Sequence, residues 1–302
     1  MSLEKFRDYK FQDKTIALIN KASDIIAEYQ SNGYSLTLRQ LYYQFVSRDL
    51  IPNNMREYKK LGETINKARL AGLIDWNAIE DRTRNLKGVS TWDGPEGVIS
   101  SACYSYKEDL WRNQSFAPEV WIEKDALVGV IERVCNRWQV PFFACRGYTS
   151  QSEQYRAGKR LKSAEYGGKQ PIILHLGDHD PSGIDMTRDN RERLDMFSGF
   201  SAEVRRLALN MDQIDQYSPP PNPAKITDSR FQGYVDKHGK SSWELDALDP
   251  SIIAELVEDN VKKLIDFNQW EIDKQAESDN KDMLYKVSDR WDEVCEFLEG
   301  TE

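Results

Sequence analysis

Three acids stand where a parallel sheet would gather them: Glu123 follows an apolar run in VWIEKDAL, and Asp178 and Asp180 follow another in LHLGDHDPSGIDM. Functional groups of open parallel sheets collect at the carboxyl ends of the strands. Gly177 before the aspartates, with Pro181 and Gly183 after them, permits a tight turn that aims both carboxylates at one point. Carboxylates grouped in this way repel one another, and a hard cation such as magnesium is the usual reason to group them. The same residues have a plainer use. Glu123 can pair with Lys124 or Arg146, and the aspartates can cap a helix beginning near Pro181. His179 reads as an alternating side chain that packs or faces solvent, with a phosphate contact as the other option.

A second candidate lies in TLRQLYYQFV (37–46). At about 100° per residue, Leu38, Leu41, Tyr42, Phe45 and Val46 form one apolar face, so Tyr42 reads as a core residue. Tyr43 falls at the edge of that face, four residues after Arg39 and on the same side. A phenol ionises near a pKa of roughly 10 and attacks phosphate poorly without a base, a cation or a polarised target. Arg39 can supply the cation, stabilising a phenolate or a charged phosphoryl transition state. The alternative for Tyr43 is an ordinary half-buried aromatic.

The elements that must position these groups are legible in outline. Ile16, Ile19, Ala22, Ile26 and Tyr29 recur at helical spacing over 14–30, with Asp13 as cap. Thr37 caps a second helix to about Arg48, and a third runs from about Glu57 to Ala71 before Gly72. LIDWNAIEDRTRN (73–85) suits a strand and a basic wing, giving residues 1–90 the outline of a winged-helix DNA-binding domain. Lys59, Lys60, Asn66 and Lys67 on the third helix, with Arg69, Arg82 and Arg84, are the candidate DNA contacts there; a solvated face is the other reading. Residues 91–118, rich in glycine and proline with a helix near 104–112, read as a connection.

Beyond it, EVWI (119–122), VPFFA (140–144) and PIILHL (171–176) alternate with helical stretches near 125–138 and 150–164, which predicts βαβ units and a parallel sheet over 119–249. Arg146 and Arg156 are candidate phosphate contacts in this half, Arg156 alternatively tying its helix to the sheet. YSPPPNPAK (217–225) is a loop. Residues 250–302 form an acidic helical C-terminal segment, with an amphipathic helix over 250–269. The expected fold class is thus multi-domain α/β.

Composition narrows the function classes. The 302 residues are 39% hydrophobic and 30% charged, and no apolar run approaches the roughly 18 residues of a membrane span. The opening MSLEKFRDYK lacks an apolar core, which predicts no secretory signal and a cytoplasmic location. Four scattered cysteines without CxxC spacing and three histidines predict reduced thiols and no zinc site. The net charge of −9 is unevenly spread: residues 1–90 hold 15 basic against 11 acidic side chains, and 241–302 hold 6 against 18. A basic N-terminal surface for phosphates is therefore compatible with an acidic chain.

A glutamate after one strand and a DxD turn after a later one resembles the Toprim signature of topoisomerases, primases and related nucleases. Within that group, IEKDAL, RGYTSQSEQYR and GDHDPSGIDM are similar to segments of the topoisomerase VI A subunit and the Spo11 family, in the same order. TLRQLYYQFV is similar to that family's stretch in which an arginine precedes paired tyrosines, the second being the nucleophile. The resemblance covers about residues 35–250. It implies duplex DNA as substrate, magnesium held by Glu123, Asp178 and Asp180, transesterification by Tyr43 aided by Arg39, and a homodimer in which the tyrosine of one subunit meets the metal site of its partner. No GxxxxGK[ST] loop occurs, so strand passage would call for a separate ATPase subunit. A water-using Toprim nuclease and a non-catalytic DNA-binding regulator are the rival readings.

Overall fold

The computed structural model describes residues 3–79 and 89–300. Three helices come first: α1 (Asp13–Ser31), α2 (Leu38–Ser47) and α3 (Met55–Leu70). α2 starts where a capping box forces it to, Thr37 Oγ1 accepting from Gln40 N while Gln40 Oε1 accepts from Thr37 N. Asn54 caps α3 through Glu57 N. α1 differs from expectation: Gln12 stands at the cap and Asp13 is already in the first turn, where its charge suits the helix dipole. Ile19, Ala22 and Ile25 pack with Leu41, Tyr42 and Phe45 and with Leu61 and Ile65.

The strand expected from residue 73 is not formed over 73–79. Asp75 accepts a hydrogen bond from Asn77 N and starts a single 3-10 turn, Trp76–Ala78, and Ile79 then makes one isolated bridge to Leu36. Arg82 and Arg84 lie outside the described residues.

The glycine-rich connection holds α4 (Pro95–Ser105), about nine residues earlier than the helix expected at 104–112, because Gly94 and Pro95 form a favourable start. α4 is not a bare linker: Ser100 bonds Ser288, and just past the helix Glu108 bonds Asn280 and Glu277.

The α/β part follows as β1 (Phe116–Ile122), α5 (Val128–Arg137), β2 (Phe142–Ala144), α6 (Gln151–Tyr166), β3 (Gln170–Leu176), α7 (Pro181–Ser198) and β4 (Glu203–Ala208). The four strands form one parallel sheet in the order β2-β1-β3-β4. Ile122 is level with both Ala144 and Leu176, so the residues leaving β1, β2 and β3 emerge side by side. Val120, Ile122, Ile172 and Leu174 pack on one face, and Trp121 and Ile173 on the other against Ala157 and Leu161 of α6 and Leu194 of α7.

α6 and α7 cross closely at Gly158, where an added Cβ would lie 2.5 Å from Phe197 Cβ and 2.9 Å from its carbonyl carbon. Backbone cannot yield there as a flexible side chain can. Gly158→Ala is expected to lower stability by about 1–3 kcal/mol, read as a lower urea midpoint with an unchanged slope.

β4 was not foreseen, since EVRRLA reads as a charged stretch. After it come α8 (Met211–Tyr217), the two-residue strands β5 (Asn222–Pro223) and β6 (Ser241–Ser242) flanking α9 (Phe231–His238), then α10 (Pro250–Lys262), α11 (Phe267–Asp289) and α12 (Trp291–Glu299). The helix expected over 250–269 is broken at 263–266, where Asp266 accepts from Asn268 N and Gln269 N and so begins α11. Ile253, Val257 and Val261 of α10 belong to the same buried cluster as β1 and β3, so this acidic stretch covers the sheet. The four cysteines are free.

Candidate active site

The level ends of β1 and β3 bring Glu123 beside the turn that carries the aspartates. Asp178 N donates to Glu123 Oε2 at 2.8 Å. The turn is tight enough that a Cβ at Gly183 would lie 2.2 Å from the Asp178 carbonyl oxygen, which accounts for the glycine. Arg206, the residue that disguised β4, is buried behind it. Its guanidinium donates to the carbonyls of Gly177, Asp178 and Gly183 and to Thr187 Oγ1 at 2.6–3.0 Å. A buried cation is tolerated because these acceptors replace water.

The three acids have separate occupations. Asp180 Oδ1 caps α7 by accepting from Gly183 N at 2.6 Å, the plainer role foreseen for it. Asp178 Oδ1 accepts from Leu245 N at 2.7 Å and faces Lys124 Nζ at 3.0 Å. Burial pushes the Asp178 carboxyl up to about 7, and burial likewise raises Glu123. Arg146 pairs with Asp125 rather than with Glu123. His179 is packed: its backbone pairs with Trp243 and its Nδ1 meets the Tyr234 hydroxyl at 2.8 Å.

Hard carboxylate oxygens are the right donors for magnesium, and Glu123 and Asp178 already adjoin. Among the described residues, however, no three His, Cys, Asp or Glu side chains converge tightly enough to hold a metal ion as they stand. A cation here requires Asp180 to leave its cap and Lys124 to release Asp178.

His175, on β3 just before the turn, is fully buried against Thr187 Oγ1, and burial pulls its pKa down to about 3. Such a group is neutral in both folded and unfolded chains above its unfolded pKa; below it, the unfolded chain takes a proton that the folded one refuses. The stability of wild type relative to His175→Asn is therefore expected to shrink as pH falls from 7.5 to 5, measured by urea unfolding at each pH. An unchanged difference would mean that His175 is not held neutral.

Tyr43 lies deeper than the edge position read from the helix, with 4% of its surface exposed. The Arg39 guanidinium sits 5.9 Å from its ring centroid. Burial pushes the Tyr43 phenol up to about 12; Asp246 and Glu244 add to the rise and Arg39 opposes it. Tyr42 has the structural role expected of it, its hydroxyl donating to Asn53 Oδ1 and the Asn54 carbonyl. A cleft of about 150 Å³ opens onto Tyr43, bordered by Arg39, Tyr42, Tyr58 and Glu244.

The Tyr43 helix and the acid turn are joined within one chain. Arg39 is ion-paired with Glu244, and its Nε lies 2.8 Å from Asp246 Oδ2. Lys124 Nζ bonds Glu244 at 2.7 Å and Asp246 at 2.8 Å as well as Asp178. Burial alone would raise the Glu244 carboxyl, but Lys124 and Arg39 outweigh it and hold it below its ordinary range. Glu244 and Asp246 were not picked out from the sequence. Their one sequence signal is acids at alternate positions around an apolar Leu245 in WELDAL, which says nothing of what they face.

No protein-family model matches the chain, and no curated protein matches it. No helix among the described residues is long and apolar enough to cross a membrane.

The basic candidates divide. Lys59, Lys60, Asn66 and Lys67 are exposed on α3, with Lys60 near Glu57 at 3.6 Å. Lys59 and Lys60 border a groove with Arg56 and Met55, and Met55 also borders the Tyr43 cleft. Arg69 is instead a tie: it stacks on the Trp76 ring at 4.7 Å and donates to the Trp76 carbonyl. Arg156 is exposed with Glu153 at 3.5 Å, consistent neither with a tie to the sheet nor with burial. Arg146 borders a groove of about 680 Å³, beside Tyr148, Ser150 and Arg160.

Proposed function

We propose that the protein cleaves duplex DNA by transesterification, with Tyr43 as nucleophile and magnesium held by Glu123, Asp178 and Asp180. The three helices then act as a winged-helix DNA-docking unit and the parallel sheet as a Toprim domain, similar to the topoisomerase VI A subunit and the Spo11 family. The observation that supports this reading is the chain of contacts from Tyr43 through Arg39, Glu244, Asp246 and Lys124 to Asp178, which links Tyr43 and the acid turn electrostatically.

Chemically, Tyr43 Oη forms a bond to phosphorus as the bond from phosphorus to a deoxyribose oxygen breaks. The phenol proton passes to water acting as base at the mouth of the cleft, and the leaving oxygen takes up a proton. Arg39 faces the phenol and stabilises negative charge as it develops on the transferring group. Bound magnesium supplies charge neutralisation at the phosphate oxygens. Lys59, Lys60 and Lys67 offer phosphate contacts on the face of α3, the first two beside a groove that shares Met55 with the cleft. The resemblance calls for a separate ATPase subunit and for a homodimer in which the tyrosine of one subunit meets its partner's metal site, whereas the contacts above join Tyr43 to the acid turn within one chain.

A second reading has its own support: the near-complete burial and raised pKa of Tyr43 suit a packing residue, which would leave metal-activated water to cut the DNA. Incubation of the protein with supercoiled plasmid and magnesium, followed by denaturation with and without protease, separates the two. Breaks whose ends carry protein support the tyrosine reaction; free ends support the water nuclease; intact plasmid that is nevertheless bound contradicts both.

A further inference from the structure

We infer that the outer face of α6 is a docking surface for single-stranded nucleic acid, separate from the Tyr43 cleft. Along this helix Tyr155, Lys159, Lys162 and Tyr166 fall at positions i, i+4, i+7 and i+11. At 3.6 residues per turn they share one stripe roughly 60° wide. The other side of the helix carries Ala157 and Leu161 into the core against the sheet, so the stripe is turned outward. Tyr155 is 50% and Tyr166 76% exposed. Each ring is matched with a cation: Lys159 Nζ lies 5.1 Å from the centroid of Tyr155, and Lys162 Nζ 5.4 Å from that of Tyr166. Neither lysine forms an ion pair among the described residues, and Glu153 of the same helix is taken by Arg156 and Arg160. In a chain with 50 acidic against 41 basic residues, two ammonium groups that face rings instead of carboxylates are suited to an anion from outside.

The chemistry of the stripe selects the partner. Ammonium groups attract phosphates, and phenol rings offer flat faces on which bases stack. A duplex keeps its base faces inside the stack, so only an unpaired strand uses both kinds of group. The two tyrosines stand about 16 Å apart along the helix axis, far enough to take different bases. Phe197 of α7 meets the Tyr155 ring edge-on at 5.7 Å and 87°, which holds that ring in place before a strand arrives. Arg156, roughly 100° round the helix from Tyr155, stands between the stripe and the groove bordered by Glu153 and Arg160. An acidic membrane would attract the same lysines, but the stripe carries no aliphatic side chain to enter hydrocarbon. This surface binds a strand whether or not Tyr43 cleaves DNA.

The test is fluorescence anisotropy with a labelled oligothymidylate of roughly 20 nucleotides and an abasic strand of the same length, without magnesium so that cleavage does not enter. Wild type is expected to bind the thymidylate more tightly than the abasic strand. Tyr155→Ala combined with Tyr166→Ala should weaken thymidylate binding on the order of tenfold or more and leave abasic binding unchanged. Lys159→Gln combined with Lys162→Gln should weaken both and lower the salt slope by roughly 1.4, two phosphate contacts at about 0.7 each. Photocrosslinking of wild type to an iodouridine-substituted strand needs no variant, and should label peptides that contain Tyr155 or Tyr166. Absence of binding, equal affinity for the two strands, full thymidylate binding by the tyrosine variant or crosslinks confined to α3 would each overturn the inference. Wild type that binds phosphatidylserine vesicles through the same lysines, and neither strand, would make this face a membrane contact and overturn it as well.

Discussion

Tyr43→Phe is expected to abolish the covalent protein–DNA link while leaving the fold intact. The substitution removes one oxygen and keeps the ring that packs edge-to-face on Tyr42 at 5.3 Å and lies beside Arg39. What is lost is one hydroxyl group near the Arg39 guanidinium, so stability should move by about 1 kcal/mol or less. If the proposed reaction holds, removing the phenol oxygen removes its first step, and adduct formation should fall by at least roughly a thousandfold. Phenol extraction after magnesium-supported incubation measures it: wild type should carry labelled DNA into the protein phase, and the variant should not. Label retained by the phenylalanine variant would move the nucleophile to another residue.

The second large effect is expected from Asp178→Asn, which divides activity from stability. Asparagine keeps an oxygen to accept from Leu245 N but loses the charge that faces Lys124. On the proposed reading, magnesium-dependent cleavage should fall by about a hundredfold or more, because the site would lose a charged oxygen donor. Stability should respond in the other direction. Burial holds the folded carboxyl protonated up to about 7, above its unfolded value. Between the two values the folded chain keeps a proton that the unfolded chain has released, so wild type loses stability as pH rises through that window. The variant lacks this loss. Without metal, its advantage should grow from pH 4 to 7.5 to on the order of 1–3 kcal/mol, less what the broken Lys124 contact removes. Urea midpoints across that range measure it, and a flat difference would mean that Asp178 is ionised throughout.

The parts legible in the sequence were those whose physics is local. Apolar runs mark β1, β2 and β3 to within a few residues; β1 and β3 are buried on both faces, and β2 is a half-buried edge strand whose Phe142, Phe143 and Ala144 are still apolar. Thr37 and Asn54 mark helix starts because a side chain bonds a backbone group three residues away. β4 was hidden for a non-local reason: Arg206 is buried only because carbonyls of a turn almost thirty residues earlier accept its protons. The short helix start at Gly94 and Pro95 was passed over in favour of the later aromatic stretch, and a capping aspartate, Asp266, broke a periodicity that otherwise ran on.

The candidate site divides in the same way. Glu123 and the Asp178 turn were placed by strand ends, and Arg39 beside Tyr43 by helical spacing. Glu244 and Asp246 come from a segment more than sixty residues beyond the turn, brought back when Trp243 pairs with His179. Nothing in WELDAL announces that pairing. The exact burial of Tyr43 was also beyond the helix pattern, because Glu244 from that returning segment closes one side of its cleft.

The most direct test of the central claim is mass spectrometry of the denatured, nuclease-trimmed protein after incubation with supercoiled DNA and magnesium. The expected result is a nucleotide adduct on the peptide that contains Tyr43, localised to its phenol oxygen and absent when magnesium is withheld. Cleaved DNA with an unmodified Tyr43 peptide, or an adduct on a different residue, would contradict it.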